Sequence, residues 1–259
     1  MPGRGPKKRG RGGDPAEHLR LLTKLLPAEA AADNDTWLPA PLDPAVLFPE
    51  PAPIELEVGC GKGLFLASAA AAQPERNYLG VELAPGYAEL TAARCAARSL
   101  PNAQVISGDA TLLIRSLLAD HCVQAVHVYF PDPWWKARHR KRRVLSEPFF
   151  QQAARILAPN GTVHAWTDVE EYFFEAMEAA AATGLFQPPR SVPEPVAQDD
   201  FDYRTHFERR TRLADKPVWR AELDRSDLSP PNRQPITPYE RIRLRTAATK
   251  TDESSRPTK

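Results

Sequence analysis

Ile54-Glu55-Leu56-Glu57-Val58-Gly59-Cys60-Gly61-Lys62-Gly63 is the stretch on which the fold reading turns. A short apolar strand, Ile54 to Val58, runs into alternating glycines, and the Ala-rich segment Lys62 to Ala72 that follows reads as a helix closed by Pro74. The same alternation repeats. Tyr78 to Val81, with Glu82 at its end, precedes a helix begun at Pro85 and running to about Arg98. Val105-Ile106, ended by Gly108-Asp109, precedes a helix over Thr111 to Leu118. Val123 to Tyr129 leads into a Pro-rich loop, and Ser146 is placed to cap a helix over Glu147 to Leu157. After the turn Pro159-Asn160-Gly161, Thr162 to Thr167 precedes a helix over Val169 to Ala182 that Asp168 is placed to cap. Beyond Gly184, Pro188 to Pro195 is irregular, and Tyr203 to Leu213 and Val218 to Leu223 read as two strands about a turn. The expectation is an α/β fold: a doubly wound, mostly parallel seven-stranded sheet covered on both faces, with an antiparallel edge hairpin.

The flanks read differently. Residues 1–15 carry Arg4, Lys7, Lys8, Arg9 and Arg11, are poor in apolar side chains, and form an expected disordered basic arm, either solubilising or in contact with RNA. Residues 16–53 are expected to hold a short helix over Ala16 to Ala32 and a proline-rich approach anchored by Trp37, Leu47 and Phe48. Residues 54–224 form the sheet domain, and 225–259 a polar, Pro-rich extension expected to be largely disordered. The whole chain holds 34 Lys and Arg against 33 Asp and Glu; without the five cations of the arm, 29 face 33. A cationic cluster on so mildly acidic a body is a local feature that marks an anionic partner.

Cys60, Cys95 and Cys122 are odd in number and lack Cys-x-x-Cys or Cys/His spacing, so neither a disulfide framework nor a zinc site is indicated. The residues Leu19 to Leu26 are interrupted by Arg20, Thr23 and Lys24 and do not make a secretory apolar region. A cytoplasmic protein without membrane partner or metal is expected, either monomer or homodimer.

In an open α/β sheet, ligands bind beyond the carboxyl ends of the strands. Glu57, Glu82, Asp109 and Asp132 all fall at such ends. Gly59, Gly61 and Gly63 remove side chains so that a ligand can lie against backbone, while a carboxylate just before them suits a cation better than a phosphate. S-adenosylmethionine, with a sulfonium and an ammonium, meets that description; NAD is the distant alternative. On this reading Glu82 accepts from the ribose hydroxyls and Asp109 meets the adenine amine.

After the fourth strand comes Phe130-Pro131-Asp132-Pro133-Trp134-Trp135-Lys136, followed by Arg138, His139, Arg140, Lys141, Arg142 and Arg143. An acid held between two prolines, stacking surfaces and phosphate-binding charge stand side by side, which points to chemistry on a nucleic-acid base. Trp134 and Trp135 either stack on an extruded base or pack under the loop. This signature, with Glu57 to Gly63, Glu82, Asp109, Thr167-Asp168 and Thr205-His206-Phe207-Glu208 in order, resembles the bacterial tRNA (guanine-N7-)-methyltransferases over roughly Ile54 to Leu223.

The resemblance implies a Rossmann-like class I methyltransferase fold and formation of N7-methylguanine in tRNA, with guanine 46 of the variable loop the usual target. It assigns cofactor contacts to Glu57, Glu82, Asp109 and Asp132, and substrate contacts to Lys136, Asp168, Thr205, His206, Phe207 and Glu208. It assigns RNA contacts to Arg138 through Arg143. His206 stands where the family commonly has lysine. Guanine N7 carries a free lone pair, so neither a strong general base nor a metal is required, and Asp132 is expected to orient the base and stabilise developing positive charge. The competing readings are a methyltransferase acting on another RNA site or an exocyclic amine, and a non-catalytic RNA-binding protein.

Overall fold

The computed structural model describes residues 13–26, 37–193, 203–244 and 246. Its centre is an eight-stranded sheet in the order β1-β4-β3-β2-β5-β6-β8-β7. The strands are β1 Leu19–Leu21, β2 Ile54–Val58, β3 Asn77–Glu82, β4 Ala103–Ser107, β5 Val123–Tyr129, β6 Leu157–Thr167, β7 Arg190–Ser191 and β8 Trp219–Asp224. β1 through β6 pair in parallel, and β8 lies antiparallel to both β6 and β7. The helices are α1 Pro15–His18, α2 Leu22–Leu25, α3 Leu64–Ala72, α4 Pro85–Ala97, α5 Ala110–Leu112, α6 Glu147–Ile156, α7 Glu170–Thr183 and α8 His206–Leu213. Strand order reverses about β2, so the loops after β2 and β5 diverge at one end of the sheet and leave a crevice there.

The doubly wound architecture agrees with the sequence reading, and three local expectations are corrected. Leu19–Leu21 is not helical but forms β1, a strand additional to the seven expected, paired through Leu19 and Val105, with Gly13 tied by its N–H to the Ala96 carbonyl at 2.8 Å. Tyr203–Leu213 is not a strand: α8 begins at Thr205, whose Oγ1 accepts the Glu208 N–H at 2.9 Å, and the edge hairpin is made by β7 and β8 instead. The stretch beyond Asp224 packs across the body at least to Leu244. Arg233 donates to the carbonyls of Pro39 and Ser116, Ile236 is fully buried and bridges Trp37, and Glu240 pairs with Arg115 at 2.7 Å. Residues 1–12 of the basic arm, 27–36 of the approach and 247–259 of the extension lie outside the described residues.

Smaller differences follow from capping. Helix α7 starts one residue later than expected, with Val169 at its N-cap position, so Asp168 does not cap it; Thr167 Oγ1 accepts the Val169 N–H at 3.2 Å. Ser146 occupies the N-cap of α6, but its hydroxyl turns back to Val144.

The two sheet faces are unlike. Alternation along the strands sends Leu56, Val58, Val126, Val128, Val163, Ala165 and Leu223 to an apolar face. The opposite face presents Glu55 and Glu57, His127 and Tyr129, His164 and Trp166, and Arg220 and Glu222. His127 is fully enclosed: Nε2 lies 2.8 Å from Glu55 and Nδ1 2.8 Å from the Tyr129 hydroxyl, while its ring stacks on His164 with centroids 4.5 Å apart. Arg76 completes the set on Glu55 at 2.7 Å. Burial alone would push the Glu55 carboxyl up, but His127 and Arg76 outweigh it and hold it below the usual range. Burial pushes both histidines down despite Glu55, His164 to about 3.

Both rings therefore resist protonation more in the folded than in the unfolded chain. The stability they contribute is present above the ordinary histidine pKa of 6.5 and is lost as pH falls toward the folded value of about 3 for His164. The slope is at most about 1.4 kcal/mol per pH unit for each ring. His164→Gln should flatten the fall in Tm across that window, measured by thermal melts at stepped pH. An acid limb as steep as the parent's would show that His164 does not contribute.

Candidate active site

The four parallel strands β4, β3, β2 and β5 deliver Asp109, Glu82, Glu57 with the glycine loop, and Asp132 to the same end of the sheet. Gly59, Gly61 and Gly63 adopt φ of 74°, 53° and 68°. A Cβ at Gly59 or Gly61 would meet nothing within 4 Å, so the loop borders open space. Gly63 is constrained from below: a Cβ there would fall 2.3 Å from the methyl of Thr91, whose hydroxyl donates to the Gly61 carbonyl at 2.9 Å. Thr91, buried on α4, thus holds the loop from beneath. Nothing in its sequence context marks it.

Glu57 is 3% exposed, and one of its carboxyl oxygens, Oε2, is buried with no hydrogen-bond partner. Burial and then the neighbouring Glu82 raise its pKa to about 8, against a weaker opposing bond from the Leu66 backbone. Glu82 is engaged differently: Oε2 accepts the Gly61 N–H and Oε1 the Ala84 N–H, each at 2.8 Å, and its carboxylate clamps the glycine loop. Asp109 caps α5, Oδ1 accepting from Thr111 at 2.9 Å and Leu112 at 3.3 Å. An orphaned acid, a side-chain-free cradle and two further carboxyls at successive strand ends fit a cationic nucleoside such as S-adenosylmethionine.

The second loop follows β5. Val58 and Val128 are register partners, so the glycine loop and the Pro131-Asp132-Pro133 loop leave neighbouring strands at the same level. Phe130 and Trp134, flanking the segment, both take left-handed backbone conformations with φ of 51° and 45°. For bulky residues that is strained by roughly 1–3 kcal/mol each and persists only where surroundings impose it. The Phe130 N–H donates to Trp166 at 2.8 Å, and the Phe130 ring packs on Phe207 of α8 with centroids 5.0 Å apart. Asp132 is exposed between them.

The cationic run, expected to face RNA throughout, divides in four. Arg143 is buried, with its side chain only 5% exposed, and donates to the Pro133 carbonyl at 2.7 Å while pairing with Glu175; it is not available to RNA. Arg140 is tied to Glu171 at 2.8 Å and Glu175 at 3.1 Å on α7. Arg142 lies 5.0 Å above the Trp134 ring, and His139 meets that ring edge-on at 5.8 Å, so Trp134 is sandwiched within the loop. Lys136, Arg138 and Lys141 remain exposed, as does Trp135 at 66%.

The expected substrate residues also separate. Asp168 is half-buried at the same sheet end, after β6. Thr205 and Glu208 form the capping pair of α8, and Glu208 is fully buried. Its Oε2 accepts the Arg204 N–H at 2.7 Å, and Oε1 takes Arg220 at 3.2 Å and Arg212 at 3.3 Å. That carboxylate is satisfied internally. Phe207 is 40% exposed over Phe130. His206 sits 3.4 Å from Arg94; partial burial, then Arg94 and Lys62, hold it below the ordinary histidine range. Arg204, not anticipated, covers Phe65, Tyr129 and Trp166 at 5.1 to 6.0 Å and donates to the Tyr129 hydroxyl at 3.3 Å. Among the described residues no group of three His, Cys, Asp or Glu is arranged to hold a metal ion, and no helix is long and apolar enough to cross a membrane.

A family model described as putative methyltransferase matches residues 51–221. The tRNA (guanine-N(7)-)-methyltransferase of Rhodopirellula baltica is 44% identical over 222 residues, covering 80% of this chain and 81% of that relative. The protein of the same name from Cupriavidus necator is 37% identical over 186 residues, covering 71% and 70%. In fold, the solved 16S rRNA (adenine(1408)-N(1))-methyltransferase from Catenulisporales acidiphilia with its cosubstrate SAM aligns at a TM-score of 0.51 and 20% identity, over 70% of this chain and 88% of that one.

The strained electrostatics at Glu57 have a measurable consequence. Its folded pKa of about 8 exceeds the ordinary 4.5, so the folded chain keeps a proton that the unfolded chain releases, and stability falls as pH rises through that window. Glu57→Gln should leave Tm unchanged below about pH 4.5 and raise it progressively toward pH 8. A variant less stable than the parent at pH 8 would contradict this account of the site.

Proposed function

The chain belongs to the tRNA (guanine-N7-)-methyltransferase family, and from that premise we propose that this site transfers a methyl group from S-adenosylmethionine to N7 of a tRNA guanine, guanine 46 of the variable loop being our assignment. The observation that carries the reading is the pairing of Val58 with Val128, which sets the glycine loop and the Asp132 loop side by side at one end of the sheet. Both relatives quoted above bear the name of this activity. A tRNA substrate makes the cytoplasm the expected site of action.

Glu57, Glu82, Asp109 and the backbone of Gly59 to Gly63 are the groups that would hold the cofactor. When bound, S-adenosylmethionine supplies an electrophilic methyl group whose bonding electron pair returns to sulfur. Glu57 offers its unpartnered oxygen to a cation and becomes charged as it does so. Glu82 already spends one lone pair of each oxygen on backbone N–H groups and retains others for ribose hydroxyls. Asp109 keeps its second oxygen for the adenine amine while the first caps α5.

Guanine N7 forms the new bond with a lone pair that lies outside the aromatic ring system, so no residue has to remove a proton first. The purine becomes cationic, and a fixed carboxylate stabilises that charge. Asp132, exposed and held between two prolines, accepts from the guanine imino and amino hydrogens and presents N7 toward the glycine loop. Phe207 and Trp135 supply apolar faces for the base, and Lys136, Arg138 and Lys141 contact phosphates, which give affinity and register with little sequence information.

The test is transfer of labelled methyl from S-adenosylmethionine to unmodified tRNA, followed by reduction and aniline scission, which cuts at 7-methylguanosine. Scission in the variable loop is expected. Incorporation without scission would keep a methyltransferase but move its target atom. Asp132→Asn should lower kcat on the order of 100-fold with tRNA Kd unchanged; near-parental turnover would remove Asp132 from the mechanism.

A further inference from the structure

Arg143 stands in the run of cations that follows the Asp132 loop, yet its side chain faces inward. Nε donates to the Pro133 carbonyl at 2.7 Å, Nη1 pairs with Glu175 of α7, and the guanidinium lies 4.7 Å over the Tyr172 ring. Tyr172 is itself buried and accepts the Leu145 N–H at 3.0 Å, so the surface under the guanidinium is fixed. Nη2 is buried without a hydrogen-bond partner. Removing so much of a guanidinium from water is unfavourable unless the geometry it enforces is useful, and a phosphate contact would have left it exposed.

What it enforces is the loop. Pro131 and Pro133 have no N–H, so the segment around Asp132 cannot be secured through those two backbone donors. Its ends are instead tied from outside: the Phe130 N–H to the Trp166 carbonyl at 2.8 Å, and the Pro133 carbonyl to Arg143. Both ties sit beside a residue in a left-handed conformation, Phe130 at 51° and Trp134 at 45°. Such a backbone relaxes when its restraint is removed.

We propose that Arg143 is a positioning residue for the methyl transfer, holding Asp132 in place through the Pro133 carbonyl, with Glu175 of α7 as the partner that orients its guanidinium. The proposal rests on the reading that Asp132 orients the guanine. It separates the cationic run into an inner member that sets geometry and outer members, Lys136, Arg138 and Lys141, that bind phosphate. Glu175 also receives Arg140, so the inner brace and an outer arginine share one acceptor on α7.

The experiment compares Arg143→Lys, which keeps the charge but loses the planar fork, with Glu175→Gln and with Lys141→Ala. Measurements are kcat at saturating tRNA, tRNA Kd across salt concentrations, and amide exchange of the peptide containing Asp132 and Trp134. Arg143→Lys and Glu175→Gln are expected to lower kcat by about 100-fold, to speed exchange in the loop, and to leave Kd and its salt slope at the parent values; together their effects should be less than additive. Lys141→Ala should do the reverse, weakening binding and reducing the salt slope by about one unit. Parental kcat and exchange in Arg143→Lys would overturn the proposal, as would a salt slope reduced as in Lys141→Ala. Absence of N7 transfer by the parent protein overturns the functional reading instead, and the loop exchange still decides whether Arg143 braces the segment.

Discussion

The carboxyl group of Glu57, buried beside Glu82 and with one oxygen lacking a partner, is the constraint to which much of the surrounding structure answers. Burying an acid without a counter-charge is unfavourable in the isolated protein. Here it is tolerated because the environment is firm: the glycine loop above is clamped by Glu82 and propped by Thr91, and β3 passes beneath at Gly80, where a Cβ would come within 2.9 Å of Cys60. Burial and the neighbouring Glu82 both disfavour the ionised form of Glu57, and the proposed cationic cofactor would offset that cost. If Glu57 holds the cofactor as proposed, cofactor affinity and apo-protein stability are opposed at this residue.

A second stored strain lies one strand away. The Pro131-Asp132-Pro133 segment is bracketed by two left-handed bulky residues, a geometry that local preference does not select, and contacts from β6, α7 and α8 hold it. The two strained elements are register neighbours on β2 and β5. The sheet beneath them carries an enclosed acid and histidine network where an apolar layer would have been simpler, and Arg204 joins that network through Tyr129 to the aromatic floor under α8. The polar interior thus continues from the middle of the sheet to the edge of the site.

Much of this could be read in the chain beforehand, and the exceptions have physical causes. Parallel strands buried on both faces give short apolar runs separated by helices, and those runs at Ile54 to Val58 and Val123 to Tyr129 were legible because turns bound them. The acids at strand ends follow once the strands are placed. Leu19–Leu21 was not legible as a strand, since three residues at a sheet edge carry no period of their own. Helix α8 has a signal in the sequence that outweighs the strand expected over Tyr203–Leu213: Thr205-x-x-Glu208 is a helix-start pattern, with Thr205 at the N-cap. Arg143 departs from the expected RNA contact for another reason. A run of like charges looks uniform in sequence, whereas the turn Ala137–Arg142 keeps its side chains unburied and Arg143, just past its end, turns inward. Distant partners such as Glu175 cannot be inferred from the run itself.

Glu57, with its pKa raised to about 8, is the group expected to lose a proton when the cationic cofactor binds. Calorimetric titration of S-adenosylmethionine at pH 7, repeated in buffers of differing ionisation enthalpy, counts the protons exchanged on binding. Release of close to one proton by the parent, and its disappearance in Glu57→Gln, is the expected result. Binding without proton release by the parent, or equal release by both proteins, would contradict the account.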